Sequence, residues 1–124
     1  MGEALAYLAA GVTAAWGVAH IMPTGRVVAG FGNLSKDNRL ILTMDWVAEG
    51  FTLVLLGVLV AVVTMRGGSA DPVTQAVYAV AAGALLVFAV WSAATAARGS
   101  VIFFKICPVV KSLAAALLIA AIAL

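Results

Sequence analysis

Four long apolar runs decide what this chain can become: Ala4 to Met22, Leu40 to Met65, Pro72 to Ala97, and Val101 to Leu124. A hydrocarbon core about 30 Å thick is crossed by roughly 20 apolar residues in a helix, so each run is long enough to span one. Lipid offers no partner for bare peptide groups, which makes helices the form such runs take. Together they use most of the 124 residues, and the composition agrees, 65% hydrophobic against 10% charged. Soluble domains are closer to half apolar and a quarter charged. The sequence therefore predicts an all-α polytopic membrane protein, one antiparallel four-transmembrane-helix bundle over residues 1–124. Its formal charge of +2 comes from a few loop cations. That suits a membrane surface and excludes nucleic acid as a partner.

The chain opens "MGEALAYL", without a basic leader, and its first run ends in "HIMPTGR" rather than at a small-residue cleavage site, so the first helix is expected to be retained. Arg26, Lys36 and Arg39 lie in the first loop and Arg98 in the third, against Arg66 alone in the second. By the positive-inside rule loops one and three face the cytoplasm and both termini face out, as in a bacterial-type inner membrane. Loop two is a tight Gly-Gly-Ser turn ending in Asp71-Pro72, an N-cap followed by proline at the first helical position, which makes runs two and three an antiparallel hairpin. Loop one is longer and reads as a segment lying in the interface or folding back on the bundle. Gly11 with Ala15, and Ala79 with Gly83, are spaced to let helix backbones approach closely.

The polar residues are few enough to be placed by depth. At 1.5 Å rise per residue, Asp45 lies about 8 Å and Glu49 about 14 Å inside the second helix, while Lys105 and Lys111 lie about 6 Å and 15 Å inside the fourth. Glu49 and Lys111 thus share a level near the midplane, and His20 falls near Asp45. Faces agree with levels. Thr13, Trp16 and His20 form one stripe, Asp45, Glu49 and Thr52 a second, and Trp91, Thr95 and Arg98 a third. Since lipid cannot satisfy these groups, the stripes are expected to turn inward and enclose a polar pocket open toward the cytoplasmic half. The candidate binding residues are His20, Asp45, Glu49, Lys111, Trp16, Trp91 and Arg98. The tryptophans also serve as packing or interface anchors, and a Glu49–Lys111 pair also serves simply to fix helix register.

Cys107 shares a face with Lys111 and reads as a small hydrophobe, while Pro108 between them removes one backbone hydrogen bond and frees the carbonyl of Phe104. His20, Asp45 and Glu49 are admissible metal ligands, but one histidine without a spaced partner, facing lysines, argues against a metal, and no cofactor is specified. A phosphate loop, a nucleophile elbow and a pair of haem-spaced histidines are all missing from the sequence.

"EGFTLVLLGVLV", Glu49 to Val60, resembles the second-helix pattern of the DoxX-like small membrane proteins: an acidic residue, then Gly, an aliphatic run and a Leu-Gly turn. "AAWGVAHIMPT" is similar to their first-helix ending, and the extra Asp45 departs from the pattern. The resemblance implies a four-helix bundle, sometimes a membrane subunit of a quinone-linked oxidoreductase. Three functions remain open. The first is binding or transport of a small molecule, cation or proton, with a homo-oligomer expected because four helices are few for a pathway. The second is a membrane enzyme or oxidoreductase subunit acting on a quinone or lipid through carboxylate or histidine acid–base chemistry. The third is a structural partner subunit.

Overall fold

The structure, a computed structural model, describes all residues 1–124. It comprises α1 (Gly2–Ile21), a short α2 (Thr24–Ala29), α3 (Lys36–Gly67), α4 (Pro72–Ala94) and α5 (Ile102–Ala123), with a 3-10 turn over Ala96–Arg98 and no strand. Four of these, α1, α3, α4 with its following turn, and α5, are long and apolar enough to cross a membrane. They fit an integral membrane protein.

Helix ends follow local chemistry. α3 begins at Lys36, a turn before the apolar run, because the Ser35 hydroxyl accepts from the Asn38 N–H at 3.2 Å and caps it. α4 starts where expected, with the Asp71 carboxylate accepting from the Thr74 N–H at 2.8 Å and Pro72 opening the helix. It ends earlier than the run, at Ala94, where Thr95 leaves helical geometry at φ −118° and ψ −97°. Between α3 and α4, Gly68 takes φ +72°, a left-handed value that a side chain would strain. α5 continues through Pro108 as one helix. In loop one, α2 folds back so that Val28 is buried, and the Thr24 hydroxyl donates to the carbonyl of Ile21.

The long helices form a ring in which α1 packs on α3 and α5, and α5 on α4. The side between α3 and α4 is the loosest, although these two are joined by the tightest turn. The small residues expected to bring backbones together do not. Gly11, Ala15, Ala79 and Gly83 are exposed, and a methyl added at Gly11 or Gly83 would meet nothing within 4 Å. The close seam lies elsewhere, between α1 and α3. A Cβ on Gly17 would stand 2.6 Å from the Gly50 carbonyl oxygen, and one on Gly57 would stand 2.6 Å from that of Ala10. Spacing within one Ala-rich helix offers small residues on several faces; which face is used depends on glycines at the matching level of the partner.

One end of the bundle holds both termini and the α3–α4 turn, for a Cβ on Gly2 would meet Ser69 Oγ at 2.8 Å and the Ala121 carbonyl at 2.9 Å. Just inside it, Thr64 donates to the Val60 carbonyl at 2.6 Å and accepts from the Tyr78 hydroxyl at 2.6 Å. Thr64 has one proton to give, so Tyr78 must be the donor between them. The other end carries the two remaining connections, and the polar cluster sits beneath them.

Candidate functional site

The buried face of α5 runs through Cys107, Lys111, Ala114, Leu118 and Ala121, which recur at helical spacing and carry Lys111 into the interior at 1% exposure. An ammonium at that depth needs partners on every side. Lys111 Nζ donates to Glu49 Oε1 on α3 and to Ser92 Oγ on α4 at 2.8 Å, and it stands 5.4 Å from the centre of the Phe88 ring. Ser92 can accept because its own proton goes to the Phe88 carbonyl at 2.6 Å. One lysine thereby ties three helices together.

The second carboxylate oxygen of Glu49 faces α1. His20 Nε2 lies 3.6 Å from Glu49 Oε2, within ion-pair range and beyond hydrogen-bond reach. The imidazole is 2% exposed, and neither of its ring nitrogens has a hydrogen-bond partner. It lies flat on Trp46, centroids 4.0 Å apart at 15°, and the Trp46 indole N–H donates to the His20 backbone carbonyl at 2.7 Å. On the α5 side, Cys107 Sγ accepts from the Trp16 indole N–H at 3.4 Å. Donor atoms of His20, Glu49 and Cys107 all lie within 4.8 Å of one another.

These side chains border a cavity of about 140 Å³ lined by His20, Trp46, Glu49, Trp91, Ser92, Thr95, Ala96, Phe104 and Cys107. Trp91 is 69% exposed and Glu49 keeps about a third of its side chain accessible, so the cavity reaches the outer surface on the loosely packed α3–α4 side. A larger apolar recess lies near the same end, beneath α2, lined by Met22, Arg26, Val27 and Phe103 among others.

The structure brings together His20, Glu49 and Lys111, with Trp91 at the rim. Trp16 lies behind the cavity, stacked on Phe103 at 5.0 Å. Asp45 is exposed and takes no part, contrary to its expected pairing with His20. The buried face of α3 passes through Gly50, Leu53, Gly57, Val60 and Thr64, and Trp46, not Asp45, is in register with it. Glu49 stands at the border of that face, which is why it is only partly covered. Arg98 is also exposed and outside the cavity, because α4 ends before it and the 3-10 turn takes it off the Trp91–Thr95 face. Trp46, Ser92 and the role of Cys107 were missed. The signals were present: Trp46 precedes Gly50 by four residues, Ser92 follows Phe88 by four, and Cys107 precedes Lys111 by four.

No family model, curated protein or solved structure matches this chain.

Proposed function

We propose that this protein binds the polar, ring-sized head of a small bilayer-soluble molecule, such as a quinone or its quinol, and hydrogen-bonds its oxygens through Glu49 and His20. One observation carries this reading: an imidazole 2% exposed, with both nitrogens unpartnered, borders a cavity shared with a carboxylate. Buried polar groups without partners cost free energy that a bound ligand would recover. The size is apt, since an apolar cavity of about 150 Å³ accepts one benzene ring. Access past Trp91 favours a ligand arriving from the lipid. The indole and phenyl faces of Trp46, Trp91 and Phe104 would hold the ring, and Glu49 and His20 would meet its oxygens. Lys111, bound to Glu49 Oε1, keeps that carboxylate in place. The same pocket would serve as the quinone site of an oxidoreductase subunit, the role implied by the DoxX-like resemblance. In this reading the pocket opens toward the cytoplasmic half, beside Arg26, Lys36, Arg39 and Arg98.

The test is titration of the purified, detergent-solubilised protein with short-chain quinones, read by tryptophan fluorescence, because Trp46 and Trp91 line the cavity. Saturable quenching is expected, weakened at least about tenfold in Glu49→Gln and His20→Gln proteins whose helical content by circular dichroism matches the unmodified protein. Linear, unsaturable quenching identical in all three proteins would overturn the reading.

A further inference from the structure

We infer that His20, Glu49 and Cys107 form a three-donor site for a thiophilic divalent cation of the Zn²⁺ class. The inference shares the pocket of the proposed function but requires a different ligand. Three features of the geometry carry it. The donor atoms lie within 4.8 Å of one another and come from three helices, α1, α3 and α5. Tetrahedral zinc, with bonds of about 2.0 to 2.3 Å, holds its donors roughly 3.5 Å apart. His20 Nε2 and Glu49 Oε2 already stand 3.6 Å apart, close to that spacing. Second, the imidazole is buried to 2% exposure with both nitrogens unpartnered, which leaves a lone pair free for a metal. Third, the partners around the donors suit their bound forms. The Trp16 N–H points to the sulfur, where it would stabilise a thiolate, and Lys111 is held by the other carboxylate oxygen and by Ser92.

That last contact lessens the charge argument against a metal, because the ammonium of Lys111 faces Oε1 rather than Oε2. Glu49 already balances Lys111, so the thiolate formed on binding offsets one of the ion's two charges and the site carries a net charge of about +1. Lys105 is exposed and plays no part. The mix of sulfur, nitrogen and a single carboxylate selects zinc and its neighbours over magnesium or calcium. Binding replaces the thiol proton: the S–H bond breaks, the metal–sulfur bond forms, and one proton leaves to solvent for each ion bound. The three donors border the cavity, from which a bound ion would draw a further ligand such as water.

The experiment uses the full-length purified protein and Co²⁺ as a spectroscopic stand-in for Zn²⁺. One Co²⁺ per chain is expected, with a thiolate-to-cobalt charge-transfer absorption, displacement by Zn²⁺, and release of about one proton per ion from the thiol. Cys107→Ser should abolish the charge-transfer absorption. His20→Gln and Glu49→Gln should weaken Co²⁺ binding at least about tenfold, and Asp45→Asn should leave it unchanged. Helical content by circular dichroism accompanies each variant. Absence of the charge-transfer absorption in the unmodified protein overturns the inference whatever the variants do, as does affinity that His20→Gln leaves intact in a folded protein. Quinone quenching is a separate readout, so either ligand can fail alone.

Discussion

Trp46 holds His20 twice, by stacking on its ring at 4.0 Å and by donating its indole N–H to the histidine's own backbone carbonyl at 2.7 Å. The first contact fixes the plane of the imidazole and the second fixes the end of α1 against α3. Trp46→Phe preserves an aromatic face and removes the donor. The expected cost is about 1 kcal/mol of stability, read by thermal unfolding in detergent, with quinone affinity falling as the ring loosens. An unfolding midpoint matching the unmodified protein would show that the indole N–H contributes nothing.

Glu49 and Lys111 should respond unequally to loss of their partner. Lys111 is 1% exposed, whereas the Glu49 side chain is 31% exposed. Glu49→Gln leaves a fully buried ammonium without its counter-ion and should cost about 3 to 5 kcal/mol unless the lysine gives up its proton. Lys111→Met leaves a carboxylate that can still turn toward the cavity mouth, and should cost less. Thermal unfolding of the two variants side by side decides the order, and equal losses would count against it.

The glycines separate in the same way. Gly57→Ala places a methyl 2.6 Å from the Ala10 carbonyl and 2.9 Å from the Ala14 methyl carbon, so α1 and α3 must part, at about 1 to 3 kcal/mol. Gly83→Ala adds its methyl to open space. There the better helix propensity of alanine should leave stability unchanged or raise it by up to about 1 kcal/mol. Thermal unfolding of both variants would show whether the close seam is where the backbone places it.

Tyr78 donates to Thr64 at the end of the bundle away from the cavity. Tyr78→Phe should lower stability by about 1 kcal/mol and leave quinone and cobalt binding untouched, because Thr64 keeps its bond to the Val60 carbonyl. A loss of ligand binding at unchanged stability would mean the two ends communicate.

The proposed orientation is tested by single cysteines at Ser35 and Ala70 in a Cys107→Ala background. Both positions are exposed, one before α3 and one after it. In membrane vesicles of known sidedness, labelling of Ser35→Cys from the cytoplasmic face and of Ala70→Cys from the opposite face is expected. The reverse pattern would invert the topology.

The four spans were legible because length and hydropathy alone determine them. The Glu49–Lys111 level was legible too, since rise per residue converts position into depth once the direction of each helix is known. Azimuth was harder. A polar stripe on α3 suggested that Asp45 points inward, yet Trp46 lies in register with Gly50 and Gly57, and the glycine seam decided which face of α3 was buried. Arg98 was misplaced because the apolar run extends past the point where Thr95 breaks the helix. The cysteine was visible on the lysine's face, but its neighbours Trp16 and His20 belong to α1, and one helix's sequence does not reveal what a distant helix sets beside it.

The glycine seam bears on how such a protein can change under selection. Where two backbones touch at Gly17, Gly50 and Gly57, no side chain remains to be exchanged for another without separating the helices. New ligand preferences must therefore arise at the side chains that line the cavity, and most freely on the α4 side, away from the seam. In a library diversified across both the cavity lining and the seam, functional variants should accumulate at Trp91, Ser92, Thr95 and Phe104, while Gly17, Gly50 and Gly57 return almost invariably as glycine.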